Sequence, residues 1–418
     1  YAAFIFLFSA GLWVTEAIPL FATSLLLVGL EVMLLCKPGT NEYKRFFEAV
    51  ADPVVVLFFG GFLMARAATK YKLHIALARG MLKLFGTRPK MVLVGLMAIT
   101  AAFAMWMSAT ATTAMMLAII APLVDQLDDD DPYRKALVLG VAFAASIGGI
   151  GTPIGSPPNA VAVAALRRLS TPVDISVPQW MMVAMPLMFM LLAFTYVLLN
   201  LWFKPKAVRI DLDEDHNVRL PMTAYVVAAV FGVTVLLWLT GSWHHINSSV
   251  IALVPAVVFT TLCILDADDV NTLDWHVLLL IAGGIALSAA LNMTGLDKWI
   301  IAHMALDGRS PAVVVAIFGV AMFVISSFMS HTVAVNLLLP VALGVSTISP
   351  IWMGFVLPLI AAVTITFPVS TPPNTLAYNT GEVTSADMVK TGGVIAFGSL
   401  VLLLLTGKAV LVMFGMLH

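Results

Sequence analysis

The chain has 418 residues, of which 61% are hydrophobic and 11% charged, with a net charge of -1 and a mean hydropathy of +1.01. Those figures exclude a soluble globular domain and leave an integral membrane protein, multi-pass, of a plasma or bacterial inner membrane. The charge balance offers no basic face for nucleic acid. The two cysteines, Cys36 and Cys263, form no CxxC or Cys/His cluster that would hold zinc or a redox pair, and both are read as packing residues at the ends of apolar runs.

Tyr1 opens inside an apolar run, so sequence upstream of it is expected and no cleavable signal peptide is read. Along the chain, "AAFIFLFSAGLWV" at 2–14, "WMMVAMPLMFMLLAFTYVLLNLWF" at 180–203, "AYVVAAVFGVTVLLWLTG" at 224–241 and "GGVIAFGSLVLLLLTGKAVLVMF" at 392–414 approach or exceed the length of a spanning helix. At roughly 20 apolar residues per crossing, about ten spans are expected. None of the runs alternates apolar with polar residues as the strands of a membrane barrel do, so the fold class is all-α. Glu16, in "TEAIP", is an acid in an apolar region; it is a candidate proton carrier, a helix cap or a polar contact between spans.

Three blocks then recur in the same order. "FFGGFLMARAATKYKLHIA" at 58–76 resembles "IAGGIALSAALNMTGLDKWIIA" at 281–302, with Gly60-Gly61 matching Gly283-Gly284. "MSATATTAMML" at 107–117 matches "MSHTVAVNLLL" at 329–339, and "TPIGSPPNA" at 152–160 matches "FPVSTPPNT" at 367–375. Between the two series lies "KPKAVRIDLDEDHNVRLP" at 204–221, the most charged stretch of the chain. Residues 1–203 and 222–418 are therefore read as duplicated halves joined by a polar linker.

Arg66 to Lys90 carries seven basic residues and no acid, whereas its counterpart near 292–310 balances Lys298 and Arg309 with Asp297 and Asp307. Under the positive-inside rule the two segments belong on opposite faces, which makes the repeats inverted. The acidic run Asp128 to Asp131 is read as a solvated loop, as is His244-His245.

Small and hydroxyl residues in the middle of "MWMSATATTAM" and "FMSHTVAVN" suit a re-entrant helical hairpin better than a plain span, with Ser108-Ala109-Thr110 and Ser330-His331-Thr332 at the tips. Each Pro-Pro-Asn removes two backbone donors and so breaks its helix, at 152–160 and 367–375. Asn159 and Asn374 are read as caps of the half-helices that follow, with Ser156 and Thr371 adding hydroxyls. Half-helix N-termini suit an anion, and carbonyls at broken C-termini suit Na⁺. Neither motif pair contains Lys or Arg, so an anion at the midplane would be held by helix ends, hydroxyls, amides and co-bound cations.

"WVTEAIPLFATSLL" at 13–26, the paired Ser-x-Thr tips, and "GSPPN" with "STPPN" resemble the divalent anion/sodium symporter family of dicarboxylate, citrate and sulfate carriers, over essentially the whole chain. The resemblance implies an inverted-repeat protomer, a scaffold domain that forms a homodimer, a transport domain that moves like an elevator, and one more helix before Tyr1. It also implies that Ser108, Thr110, Ser156, Pro157, Asn159, Ser330, His331, Thr332, Thr371, Pro372 and Asn374 surround a small anionic substrate. For Na⁺ it implies Ala104, Ser108 and Gly155 in the first half and Ser326, Met329 and Ser370 in the second.

The family's tips read Ser-Asn-Thr in both halves; here Ala109 and His331 replace the two asparagines. Ala109 removes a side-chain oxygen from the first cation site, leaving backbone carbonyls near Ala104 and Gly155. His331 offers a neutral nitrogen, a donor to an oxyanion or a positive charge in place of a cation. On this reading His331 touches the substrate or substitutes for the second sodium, with proton coupling or obligate exchange as consequences; a packed, hydrogen-bonded histidine is the bland alternative. A membrane enzyme lacks a nucleophile–base constellation, an ATP-driven pump lacks GxxxxGK[ST], and a passive anion channel is the stronger rival.

Overall fold

The computed structural model describes residues 1–169, 171–210, 220–304, 306, 308–368 and 370–417. All regular structure among them is helical. The first half runs through α1 (Ala2–Thr15), α2 (Leu20–Leu35), α3 (Lys44–Phe47), α4 (Pro53–Lys70), α5 (Leu73–Leu82), α6 (Pro89–Ala104), α7 (Ala109–Val124), α8 (Tyr133–Gly148), α9 (Pro157–Arg167) and α10 (Val177–Trp202). The second follows with α11 (Met222–Leu239), α12 (Gly241–His244), α13 (Ser248–Ile251), α14 (Leu253–Thr261), α15 (Ala267–Asn271), α16 (Trp275–Thr294), α17 (Leu296–Ala302), α18 (Pro311–Phe328), α19 (His331–Leu343), α20 (Pro350–Ala362), α21 (Pro372–Asn379) and α22 (Ser385–Met413). From α4 to α10 and from α16 to α22 the elements match one for one. Part of the 204–221 linker, residues 211–219, lies outside the described residues.

Seven helices among the described residues are long and apolar enough to cross a bilayer: α4, α8 with its 3₁₀ extension to Gly151, α10, α11, α16, α18 and α22. Eight further apolar helices among the described residues are shorter, at 10–17 residues, because their runs are interrupted. α1 stops at Glu16, an exposed residue in the left-handed conformation at φ 49°, and α2 starts after Pro19. Of the three readings of Glu16, this placement matches the helix cap: it is the C-cap residue of α1. α6 and α7 have 16 residues each and meet at the first tip.

The recurring glycine pairs explain how the halves interlock. A methyl group on Gly60 of α4 would lie 2.2 Å from the Ala252 carbonyl, and one on Gly283 of α16 would lie 2.4 Å from Ser24 Cβ. The first glycine of each pair therefore lets its helix approach the other half, while Gly61 and Gly284 make room for Ile154 and Asn336 of their own halves; close approach of this kind holds membrane helices together. Farther along, α9 packs on α19 and α20, while α21 packs on α7 and α8. Both halves thus complete each other's broken-helix layer.

Polar contacts fasten the ends. Arg134, at the start of α8, bonds Glu382 through two nitrogens at 2.7 and 2.8 Å and also donates to the Val124 and Leu127 carbonyls; Lys135 pairs with Asp387 at 2.8 Å. The acidic run is only partly a solvated loop. Asp128 to Asp130 are exposed, but Asp131 is buried and accepts from the backbone N–H groups of Tyr133, Lys206 and Ala207. Cys36 is half-buried, whereas Cys263 is exposed in a turn at φ 53°, which corrects its assignment as a packing residue.

At the polar end of α4, Arg66 and Lys70 converge on Asp269 of α15. Burial acts to raise the Asp269 carboxyl, but the Lys70 ammonium, the Asp266 N–H and the Arg66 guanidinium outweigh it and hold the group at about 2. A depressed carboxylate stabilises the fold above its unfolded value near 4, and the contribution is lost as pH falls through the folded value. Asp269→Asn is expected to cost about 1–2 kcal/mol at pH 7. The difference in melting temperature from the parent in detergent should close between pH 4 and pH 2; a gap unchanged at pH 2.5 would exclude this origin.

Candidate functional site

Each hairpin tip meets the break of its own half. At the first junction α6 ends at Ala104, Ser108 is the N-cap of α7, α8 ends in a 3₁₀ turn over Gly149–Gly151, and α9 begins at Pro157 after Ser156. Thr152 Oγ1 joins the two segments, donating to the Met105 carbonyl at 2.5 Å and accepting from Gly155 N at 3.0 Å. Gly155 sits so close that a methyl group on it would lie 2.6 Å from Gly149 O and 2.8 Å from Ala104 O. The carbonyls of Ala104 and Gly149 thereby lie close to Gly155, at the position where the family resemblance implies a cation.

At the second junction α18 ends at Phe328, Ser330 is the N-cap of α19, and α21 begins at Pro372 after Thr371. Phe328 packs on Phe367 with ring centroids 5.6 Å apart, and His331 Nε2 bonds the Thr364 carbonyl at 3.1 Å. Val369, inside the expected break, lies outside the described residues.

Asn159 and Asn374 are not the caps of α9 and α21. Those caps are Ser156 and Thr371, and both asparagines stand at the third helical position, fully buried. The reason is local: two prolines occupy the first two helical positions, so the first side chain able to turn back and meet freed carbonyls is the third. Asn159 Nδ2 donates to Gly149 O at 3.0 Å and Thr152 O at 2.8 Å; Asn374 Nδ2 donates to Ile365 O at 2.9 Å and Phe367 O at 3.0 Å. Only the cap reading is corrected: both amide nitrogens are engaged by carbonyls, while Asn159 Oδ1 and Asn374 Oδ1 keep no hydrogen-bond partner.

The hydroxyls divide in a useful way. Ser108, Ser156 and Ser330 are N-caps whose side chains make no capping bond, and all three are half-buried. Thr371, by contrast, accepts from Asn374 N at 3.2 Å, and Ser370 Oγ donates to Phe367 O at 2.7 Å. Thr110 and Pro372 are exposed, Pro157 is half-buried, and Thr332 and Met329 are buried. The N-termini of α7 and α19 thus keep first-turn N–H groups beside a free hydroxyl for an anion, whereas α9 opens on two prolines and offers only the Ser156 hydroxyl.

Buried oxygens without a hydrogen-bond partner occur at both junctions: Asn159 Oδ1 at the first, and Ser326 Oγ, Thr366 Oγ1 and Asn374 Oδ1 on the segments that form the second. An oxygen-only donor set suits a hard cation, and no group of three or more His, Cys, Asp or Glu residues that would favour a transition metal occurs among the described residues. Sequence reading missed Thr152, Gly149, Thr364 and Thr366. Their signal was available: Gly149 and Thr364 both lie ten residues before the asparagine of a Pro-Pro-Asn. It also missed Glu31, fully buried on α2 with both carboxyl oxygens unpartnered. His245 is exposed, while His244 bonds the Leu237 carbonyl at 2.8 Å.

Interlocked apolar helices, two hairpin tips and two broken helices define a membrane transporter. Comparison with known proteins makes the class specific: the profile described as "Citrate transporter" matches residues 10–359 and 235–417, and the chain belongs to that family. It is 30% identical over 408 residues to an uncharacterized transporter of Haemophilus influenzae, covering 92% of this chain and 86% of that one. It is 27% identical over 438 residues to the sodium-dependent dicarboxylate transporter SdcS of Staphylococcus aureus, covering 94% and 82%. With the inorganic phosphate transporter PHO87 of Saccharomyces cerevisiae it shares 31% identity over 344 residues, 79% of this chain but 37% of the yeast protein. The crystal structure of the Alcanivorax borkumensis YdaH transporter matches it with a TM-score of 0.61 at 13% identity, over 97% and 98% of the two chains. The protein is a multi-pass membrane transporter and not an enzyme.

Proposed function

We propose that the protein is a homodimeric secondary carrier that moves a small dianion or trianion, a di- or tricarboxylate first and sulfate or a related oxyanion next, together with Na⁺. The observation that carries this reading is the pair of helix N-termini with free serine hydroxyls at Ser108 and Ser330, together with the free Ser156 hydroxyl at the start of α9, in segments that contain no Lys or Arg. Partial positive charge at the helix starts attracts the anion, and the hydroxyls with Thr110 and Thr332 complete its hydrogen bonds. Na⁺ enters as co-substrate beside Ala104, Ser108 and Gly155, with Ser326, Met329 and Ser370 as the second-half counterpart. Each positive charge offsets the repulsion of placing a multivalent anion in a low-dielectric site that has no arginine.

In this reading the two halves are inverted repeats, and the tips, breaks and arms α6–α9 and α18–α21 travel as one body against the remaining helices, as in an elevator. The matching order of elements and the reciprocal packing of α9 on α19 and α21 on α7 support a symmetric exchange between two access states. The named activity of SdcS supports sodium and dicarboxylate, and that of PHO87 supports an inorganic oxyanion as the rival substrate.

A second reading is favoured by two replacements. Ala109 and His331 stand where the family carries asparagines. Loss of both side-chain oxygens supports an exchanger or proton-coupled carrier with fewer sodium ions than the symmetric design holds.

Uptake of radiolabelled succinate, citrate, sulfate and phosphate into proteoliposomes decides between them. Saturable uptake driven by an inward Na⁺ gradient is the expected result. Uptake that requires unlabelled anion inside and ignores Na⁺ supports the exchanger, and macroscopic anion conductance without counterflow excludes a carrier.

A further inference from the structure

The carbonyls of the two breaks are held in nearly the same way, and the difference points to His331. In the first break Asn159 takes the carbonyls ten and seven residues before it, Gly149 and Thr152, and Trp180 Nε1 takes Ile150 O between them at 2.9 Å. In the second break Asn374 takes the carbonyls nine and seven residues before it, Ile365 and Phe367. The carbonyl ten residues back is that of Thr364, and His331 Nε2 takes it instead. A carbonyl only accepts, so Nε2 carries the proton in this bond and the neutral ring acts as a donor, as the asparagine amide does at Gly149.

We infer that His331, Asn159 and Asn374 are positioning residues that fix the backbone of the two breaks, and that His331 acts through the Thr364 carbonyl rather than by touching the anion or carrying a transported charge. The physical need is plain. Once prolines have opened a helix inside the membrane, the freed carbonyls have no water to bond and must be met by protein donors. Asn159 and Asn374 meet two each and are fully buried. Where Asn374 has shifted by one residue, the tip supplies the third donor, so His331 also ties the second hairpin to the break it faces. In the first half Ala109 occupies the equivalent tip position and has no donor to give; there Thr152 Oγ1 makes the tie, to Met105 O. Phe367 stands where the first half has Thr152, so the second half lacks that hydroxyl and uses the imidazole. The two ties are reciprocal: one comes from break to tip, the other from tip to break.

This role rests on the carrier reading for its functional consequence but not for its structural one, and a test can separate them. Hydrogen–deuterium exchange of the detergent-purified, monodisperse full chain would be followed by peptide for the parent and for His331→Ala, His331→Gln, Asn374→Ala and Asn159→Ala. Glutamine places an amide nitrogen close to the position of the imidazole Nε2. His331→Ala and Asn374→Ala should speed exchange about five- to tenfold across 363–371 alone, and Asn159→Ala should do so across 149–156 alone. His331→Gln should keep parental exchange and, in proteoliposomes, uptake within about threefold of the parent, while His331→Ala loses about tenfold. Unchanged exchange in His331→Ala, or His331→Gln failing as fully as His331→Ala in uptake, overturns the inference and returns His331 to the substrate or to a proton. Should an asparagine variant not fold, the two His331 variants decide alone. Absence of parental uptake under every gradient would defeat the carrier reading and leave the exchange result to stand.

Discussion

Gly155→Ala is expected to abolish coupled uptake, by roughly a hundredfold, while the protein still reaches the membrane and elutes as a single species. The added methyl would lie 2.6 Å from Gly149 O, 2.8 Å from Ala104 O and 3.1 Å from Gly149 Cα, all backbone atoms that cannot rotate aside. One or both carbonyls must move by several tenths of an ångström, and ligand geometry held to a fraction of an ångström is lost at such displacements. Gly29→Ala is the control, because nothing lies within 4 Å of the methyl it would add. If Gly155→Ala transports like Gly29→Ala and shows the same Na⁺ dependence, the first junction is not the cation side of the site.

Ser108→Ala and Ser330→Ala should each raise the KM for the anion about ten- to hundredfold, with the smaller change in maximal rate. A hydrogen bond to a charged ligand is worth about 1.5–3 kcal/mol, and every 1.4 kcal/mol is tenfold in affinity. Both serines occupy N-cap positions, but neither side chain makes a capping bond, so their loss should leave α7 and α19 intact. Thr371→Ala makes the contrast: its hydroxyl accepts from Asn374 N, and its removal should lower the melting temperature by the cost of a cap, about 1 kcal/mol, before it changes KM. Equal KM values across the parent and both serine variants would move the anion away from the tips.

Much of the architecture was legible because it follows from short-range chemistry. Hydropathy requires a bilayer, alternation is missing, and so the elements are helices. Pro-Pro forbids a continuous helix wherever it stands, and the breaks fall where the prolines are, with α9 starting at Pro157 and α21 at Pro372. Serine before a helix is likewise local, and Ser108 and Ser330 stand at the N-cap positions of α7 and α19. The count of spans was less legible, because an apolar run does not reveal whether it is one crossing or a short arm. Cys263 and Asp131 were misread for the same reason: exposure depends on neighbours that are far away in the chain.

What the sequence alone determined, then, is a helical membrane protein built from two like halves, with polar tips and proline-opened helices set in apolar surroundings. Which atoms in those openings remain free was decided by tertiary structure. Asn159 and Asn374 read as caps until their amide nitrogens are seen bonded to carbonyls seven to ten residues back. Ser108, Ser156 and Ser330 remain available only because no backbone N–H has taken their oxygens. His331 is defined by Thr364, which lies 33 residues farther along the chain. A donor's identity is written in one residue, but its partner is set by how helices cross, and that depends on the close approaches at Gly60 and Gly283, each made against the other half.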